Sequence, residues 1–237
     1  QRLRLPVPLE TFSGPLDLLH APDFVAPPTR RARRIITVHD LTFLVVPEYA
    51  HPDLRAYLEA AVPRNVRAAD HIFADSEATK DDLRRLLAVP EERISVVYVA
   101  AEARFRPFSD EEIRAGRAAL ARLGVPEGPY LLSLGTLEPR KNHIGLLRAF
   151  ARLRRRGLPH HLIIAGKRGW LYEPIFAEHA ALGLGDSVRF LDFTPDEHLP
   201  ALHACADLVL LPSFYEGFGI PLLEAMGVGT PTIISDR

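Results

Sequence analysis

Apolar residues along this chain fall into short blocks, separated by longer stretches in which they recur every three or four positions. The blocks at 130–135, 161–166, 187–191, 206–212 and 230–234 are mostly apolar and are bounded by Gly, Pro or Asp. That pattern predicts strands covered on both faces. Between them the spacing predicts helices. One runs over 143–156 with Asn142 as N-cap, one over roughly 172–182, and one is opened by Pro195 and Asp196. Another starts at Pro221, where a missing N–H costs nothing, and is ended by Gly227 and Gly229. The first part of the chain repeats the theme. Strands are predicted at 16–20, 35–39, 71–75 and 94–99, with helices over about 52–68 and over 77–87, the latter capped by Ser76. Alternation of this kind argues for an α/β fold, parallel sheets with helices on both faces.

The divide is expected near 104–112, where Pro107 interrupts the pattern and Ser109 with Glu112 forms a capping box. Two Rossmann-like units result, 1–106 and 107–237, with a cleft between them as the simplest architecture. Composition changes this picture little. The 237 residues are 47% hydrophobic and 25% charged, enough to bury a sizeable core. A net charge of −1 gives no field that favours nucleic acid. The single cysteine, Cys205, excludes internal disulfides and Cys-based zinc sites and accords with a reducing, cytoplasmic setting. No apolar stretch approaches the roughly 20 residues that span a bilayer. The chain starts at Gln1 and stops just after a strand, so it reads as the middle of a longer protein.

The chemistry concentrates after the strand at 206–212. Glu216 and Glu224 lie eight residues apart, the first on a glycine-containing loop, the second inside the following helix. Between them, free N–H groups near Gly219 to Leu222 would make a helix N-terminus that attracts anions. Glu224 would bond ribose hydroxyls, and Glu216 would reach a sugar or hold the loop. Each Glu taken singly also fits capping and dipole roles. A second loop, 135–142, places Gly135, Arg140 and Lys141 at the carboxyl end of a neighbouring strand, where two cations would neutralise a diphosphate or its developing charge. No clustered Asp or His set is present to supply a metal, so no metal and no cofactor are expected. A solvated basic turn is the plainer reading of the same loop.

His39 and Asp40 end a strand of the first unit. His39 would bond a sugar hydroxyl or phosphate, or is structural; Asp40 orients it or caps the turn. Gly166-Lys-Arg-Gly169 is a second glycine-flanked basic turn, facing a nucleotide or simply joining strand to helix. Arg30, Arg31, Arg33 and Arg34 precede a strand; they carry the hypothesis of peripheral contact with anionic lipid at the inner membrane face.

Taken together, the stretches 132–142, 165–172 and 212–226 resemble retaining glycosyltransferases of the GT-B fold, and most of all the family 4, group 1 transferases with their bacterial mannosyltransferase-like members. Stretches 38–44 and 75–80 are similar to that family as well. The resemblance covers nearly the whole chain. It implies transfer of a hexose, with mannose from GDP-mannose as the first guess, from a nucleoside diphosphate-sugar to a glycan or lipid-linked acceptor, with retained configuration and no metal. Front-face attack assisted by the leaving phosphate is the favoured route. It implies Glu216 and His39 at the catalytic region and Glu224 on the ribose. Backbone from Phe218 through Gly219 and Ile220 to Leu222 would hold sugar and diphosphate, with Arg140 and Lys141 on the phosphates. The usual Gly-rich N-terminal loop is absent from this sequence, and Thr136 stands where several members place an arginine. The rival reading is a non-catalytic nucleotide-sugar-binding relative; the intact set of Glu216, Glu224, Arg140, Lys141 and His39 argues against decay. A nicotinamide dehydrogenase is disfavoured, since no G-x-G-x-x-G follows an early strand.

Overall fold

The computed structural model describes residues 7–236. They divide into two compact units, one up to Val99 and one from Ala100. The sequence placed the division at 106/107. The structure places it earlier because 100–109 packs on the second unit: Arg104 donates to Asp196 O at 2.9 Å, and the Phe105 ring meets the His203 ring edge-on.

The first unit contains α1 (Glu10–Ser13), β1 (Leu18–Ala21), β2 (Arg33–Val38), α2 (Thr42–Val45), α3 (Pro52–Ala68), β3 (His71–Ala74), α4 (Glu77–Leu87) and β4 (Ile94–Val96). Its strands pair in parallel in the order β1-β2-β3-β4. The core is built from Ile36 and Val38 of β2, Ile72 and Ala74 of β3, and the inward residues Val62, Val66 and Leu83 of the helices. Ser76 caps α4 as expected, accepting from Thr79 N. The strand predicted at 94–99 stops at Val96, because its neighbour β3 ends at Ala74, the residue paired with Val96. Val97 and Tyr98 run on exposed. Two of the four arginines of the basic run, Arg33 and Arg34, lie within β2. Arg34 donates to Ala68 O at the C-terminus of α3, where a cation meets unsatisfied carbonyls. The single-turn helices α1 and α2 carry too few residues for a periodic signal and were not expected.

The second unit contains α5 (Asp110–Arg122), β5 (Tyr130–Leu134), α6 (His143–Arg155), β6 (His161–Ala165), α7 (Glu173–Ala181), β7 (Val188–Leu191), α8 (Leu199–Ala204), β8 (Leu208–Leu211), α9 (Ile220–Val228) and β9 (Thr232–Ile234). The capping box at Ser109 and Glu112 starts α5. The helix expected from Pro195 begins instead as a 3-10 turn, Asp196–His198, before α8. All strands pair in parallel in the order β7-β6-β5-β8-β9. Because side chains alternate faces along a strand, each apolar run feeds two cores. Leu132, Ile163 and Val209 pack with Leu120 of α5, Leu202 of α8 and Ala225 of α9. Leu131, Leu162 and Ile164 pack with Leu147 and Phe150 of α6 and Ile175 of α7. Each fully buried Leu or Ile contributes about 1.5–3 kcal/mol of burial. Strand order reverses at β5: β6 lies on one side and β8 on the other, with their helices on opposite faces. The loops after β5 and β8 therefore lead to helices on opposite faces, α6 and α9, and the carboxyl edge between them is the usual ligand position in open α/β sheets.

Candidate functional site

The two loops at this switch point are tied to each other. Phe214 N donates to Arg140 O at 2.9 Å, and Asn142 Nδ2 to Pro212 O at 3.1 Å. Asn142 also caps α6, accepting from Gly145 N, with φ 55°. Asparagine meets both demands, since it tolerates the left-handed region and carries a capping oxygen. Gly166, at the end of β6, lies so close to Gly135 that any Cβ on it would collide with the Gly135 carbonyl. Leu137 N donates to Lys167 O and Gly169 N to Leu137 O, so 166–169 continues the pairing of β5 with β6. Arg168 of that turn bonds Asp192 at 3.2 Å and lies over Phe176, which leaves Lys167 as the cation of the turn that lines the carboxyl edge.

Between the loops Glu216 takes up the cations. Its Oε2 accepts from Arg140 Nη1 at 2.7 Å, and its Oε1 from Lys141 Nζ at 2.5 Å and Ser213 Oγ at 2.6 Å. Arg140 also donates to Tyr215 O and pairs with Glu138 at 2.7 Å. Two cations and two carboxylates thus form one cluster. Burial pushes the Glu216 carboxyl up, but the charges of Lys141 and Arg140 and the bonds from Lys141 and Ser213 outweigh it and hold it below the usual range. Glu138 is deeper, at 3% exposure, and there burial prevails over Arg140 and Lys141, raising its carboxyl. Burial, with the charge of Lys141, also brings His143 down to about 4, so it is neutral at pH 7.

Helix α9 starts beside this cluster. Gly219 has φ 95° and Pro221 lies in the first turn. Pro221 has no N–H, and Leu222 N already donates to Gly219 O at 2.9 Å. Among the described residues, the free donors expected from Gly219 to Leu222 are therefore reduced to those of Gly219 and Ile220. Gly227, read as a helix stop, lies inside α9, which ends at Gly229 with φ 87°. A Cβ at Gly227 would strike Phe105 O, so this glycine serves close packing. Glu224, one turn into α9, bonds the buried His203 at 3.1 Å. A pocket of about 250 Å³ lies at the carboxyl edge of β5 and β6, lined by Leu134, Gly135, Ala165, Lys167, Phe193 and Pro221. Phe193 is 77% exposed at its edge.

His39 belongs to the first unit. Register sets Val38 of β2 beside Ala74 of β3, which brings the next residues, His39 and Asp75, together. Nδ1 lies 2.7 Å from Asp75 Oδ2 and Nε2 2.9 Å from Pro22 O. Both partners are acceptors, an arrangement that favours the charged ring, the form that donates from both nitrogens. Burial alone would lower its pKa; the bond and charge of Asp75, with Pro22 O and Asp23, raise it. Asp40 does not orient this ring: its Oδ1 caps the turn through Thr42 N. Sequence reading missed Asp75, Glu138, Ser213 and His203. Only Asp75 carried a usable signal, the same strand-end position as His39.

Among the described residues no group of three or more His, Cys, Asp or Glu is placed to hold a metal ion, and no helix is long and apolar enough to cross a membrane.

Comparison with known proteins places these features. The Glycosyl transferases group 1 family matches residues 120–237, and Glycosyltransferase Family 4 matches 3–102. Escherichia coli O-antigen chain mannosyltransferase B is 34% identical over 92% of this chain and 57% of its own length. A D-inositol 3-phosphate glycosyltransferase of Salinispora arenicola is 37% identical over 71% of this chain and 40% of its own. The chain thus spans about half the length of these relatives. Among solved structures, Anabaena HepE in complex with UDP-glucose shares the fold at TM-score 0.69, with 24% identity over 87% of this chain and 54% of HepE. WaaG, a glycosyltransferase involved in lipopolysaccharide biosynthesis, does so at 0.73, with 19% identity over 94% of this chain and 60% of WaaG. Two parallel α/β units of GT-B type, each matched by its own glycosyltransferase family, make this chain a member of the family 4, group 1 glycosyltransferases.

Proposed function

We propose that the protein transfers a hexose from a nucleoside diphosphate-sugar to a glycan or lipid-linked acceptor, with retention of configuration and without a metal. The observation that carries this reading is the cluster of Arg140, Lys141 and Glu216 at the switch point of the second sheet, beside the start of α9. The mannosyltransferase relative favours mannose as the sugar, with GDP-mannose as donor.

Arg140 and Lys141 would exchange part of their contact with Glu216 for the diphosphate. The N–H groups of Gly219 and Ile220 supply further donors, and Gly135 leaves room for the phosphates to approach. Phe218 and Leu222 would flank the sugar and diphosphate, Glu224 would take the ribose, and the base would lie in the pocket edged by Phe193. In the transfer step the bond from the anomeric carbon to the phosphate oxygen breaks, and its electron pair leaves with the diphosphate. The acceptor hydroxyl adds to the same face, passing its proton to the departing phosphate oxygen. The two cations stabilise the charge that develops there. Glu216 has both oxygens engaged by Arg140, Lys141 and Ser213, which supports a part in holding the cations over a part as nucleophile. His39 would contact the transferred sugar by exchanging Pro22 O for a hydroxyl.

The test is a panel of nucleotide-sugars with product analysis by proton NMR. Hydrolysis or transfer from one donor, with the anomeric configuration kept, is expected. An inverted product, or turnover of no donor by a protein that binds nucleotide, would remove the catalytic assignment.

A further inference from the structure

Glu224 is held by a residue that no sequence pattern singled out. His203, on α8, is fully buried, and its Nε2 lies 3.1 Å from Glu224 Oε2. A carboxylate only accepts, so Nε2 carries the proton and donates. The Phe105 ring meets the His203 ring edge-on, with centroids 5.7 Å apart, and the backbone of His203 is anchored by Thr230 Oγ1, which donates to its carbonyl at 2.8 Å. Nδ1 has no partner among the described residues. Burying a polar ring with one nitrogen unsatisfied costs free energy that a leucine in the same place would avoid. The bond to Glu224 is what offsets that cost. Meanwhile Oε1 of Glu224 has no protein partner among the described residues, and its side chain retains 15% exposure.

We propose that His203 is a positioning residue of the donor site: it holds one oxygen of Glu224 and so presents the other to the ribose hydroxyls of the nucleotide. This rests on the donor-site reading above and adds to it the group that orients the ribose acceptor. The ring does not touch the ligand; it acts through Glu224.

The experiment is isothermal titration of GDP and UDP, and of their 2′,3′-dideoxy forms, into the wild-type protein and its variants. A hydrogen bond to a charged acceptor predicts that removing the hydroxyls weakens wild-type binding on the order of 10-fold or more. In His203→Leu the ribonucleotide should weaken while the dideoxy form binds as before, closing the gap to within about 3-fold. His203→Gln, which keeps a donor near Nε2, should restore most of it. Should the leucine variant not fold, His203→Asn, polar but too short to reach Glu224, must narrow the gap in the same way. A gap as wide in the Leu or Asn variant as in the wild type overturns the positioning role. A wild type that binds both forms equally, or neither nucleotide at all, overturns the ribose or donor-site reading instead. The unchanged dideoxy affinity is the readout that a merely structural histidine would not give.

Discussion

Replacing Glu216 by Gln keeps the shape of the side chain and removes its charge. In the wild type that charge faces Lys141 Nζ at 2.5 Å and Arg140 Nη1 at 2.7 Å. With Glu138 the cluster holds two cations and two carboxylates. The variant leaves one positive charge uncompensated in a site where the cation side chains are each 14% exposed. Breaking a fully buried pair costs about 3–5 kcal/mol. Glu216 keeps 20% exposure, and the amide oxygen still accepts a bond, so screening lowers the expected loss to about 2 kcal/mol. For a protein of this size that lowers the thermal midpoint by about 4–8 °C. The assay is thermal unfolding with and without inorganic pyrophosphate. An anion that replaces the missing charge binds the variant more tightly than the wild type, so it should raise the variant's midpoint by the larger amount. An unchanged midpoint refutes the energetic role of the cluster. A lowered midpoint with equal gains from pyrophosphate refutes Arg140 and Lys141 as the anion site.

Other consequences follow from the same geometry. Gly166→Ala, with its Cβ driven into the Gly135 carbonyl, should destabilise the second unit by about 2 kcal/mol or more, read as a lower denaturant midpoint. His39, whose pKa is raised, contributes stability that is complete below its unfolded value and is lost as pH rises through the folded one. Histidine NMR titration should show that raised pKa and its fall in Asp75→Asn; an equal pKa in both proteins rules out the pair. Glu216, held low, acts in the opposite sense: its contribution is present above the ordinary carboxylate range and is lost as pH falls through the lowered value. The acid limb of a stability–pH curve should therefore flatten in Glu216→Gln, and an unchanged limb would count against the ion pairs. Ser109→Ala removes the cap of α5 and should cost about 1 kcal/mol, measured by urea unfolding.

Much of the fold was legible because parallel strands announce themselves. Runs such as Leu131 to Leu134 are apolar on both faces, and Gly, Pro and capping Asn or Ser mark their ends. What escaped depends on neighbours rather than on local pattern. β4 is short because β3 is short. Gly227 reads as a helix stop but exists to admit Phe105 O. Arg33 and Arg34 look like a free basic run until β1 pairs with β2. The same division holds at the site. Strand-end loops showed which residues would gather at the carboxyl edge, since the strand order fixes where those loops emerge. They did not show that Glu216 would be spent on Arg140 and Lys141, or that Asp75 rather than Asp40 would hold His39. Those pairings come from sheet order and register, which place residues 75 and 36 positions apart within hydrogen-bond reach.

The most direct test of the donor site is isothermal titration of GDP and UDP in the presence of a chelator. At least one of them should bind with no divalent ion present, and Arg140→Ala and Lys141→Ala should each weaken that binding about 10-fold or more, as loss of a charge-assisted hydrogen bond requires. Binding that appears only when a divalent ion is restored, or that survives loss of both cations, would contradict the account.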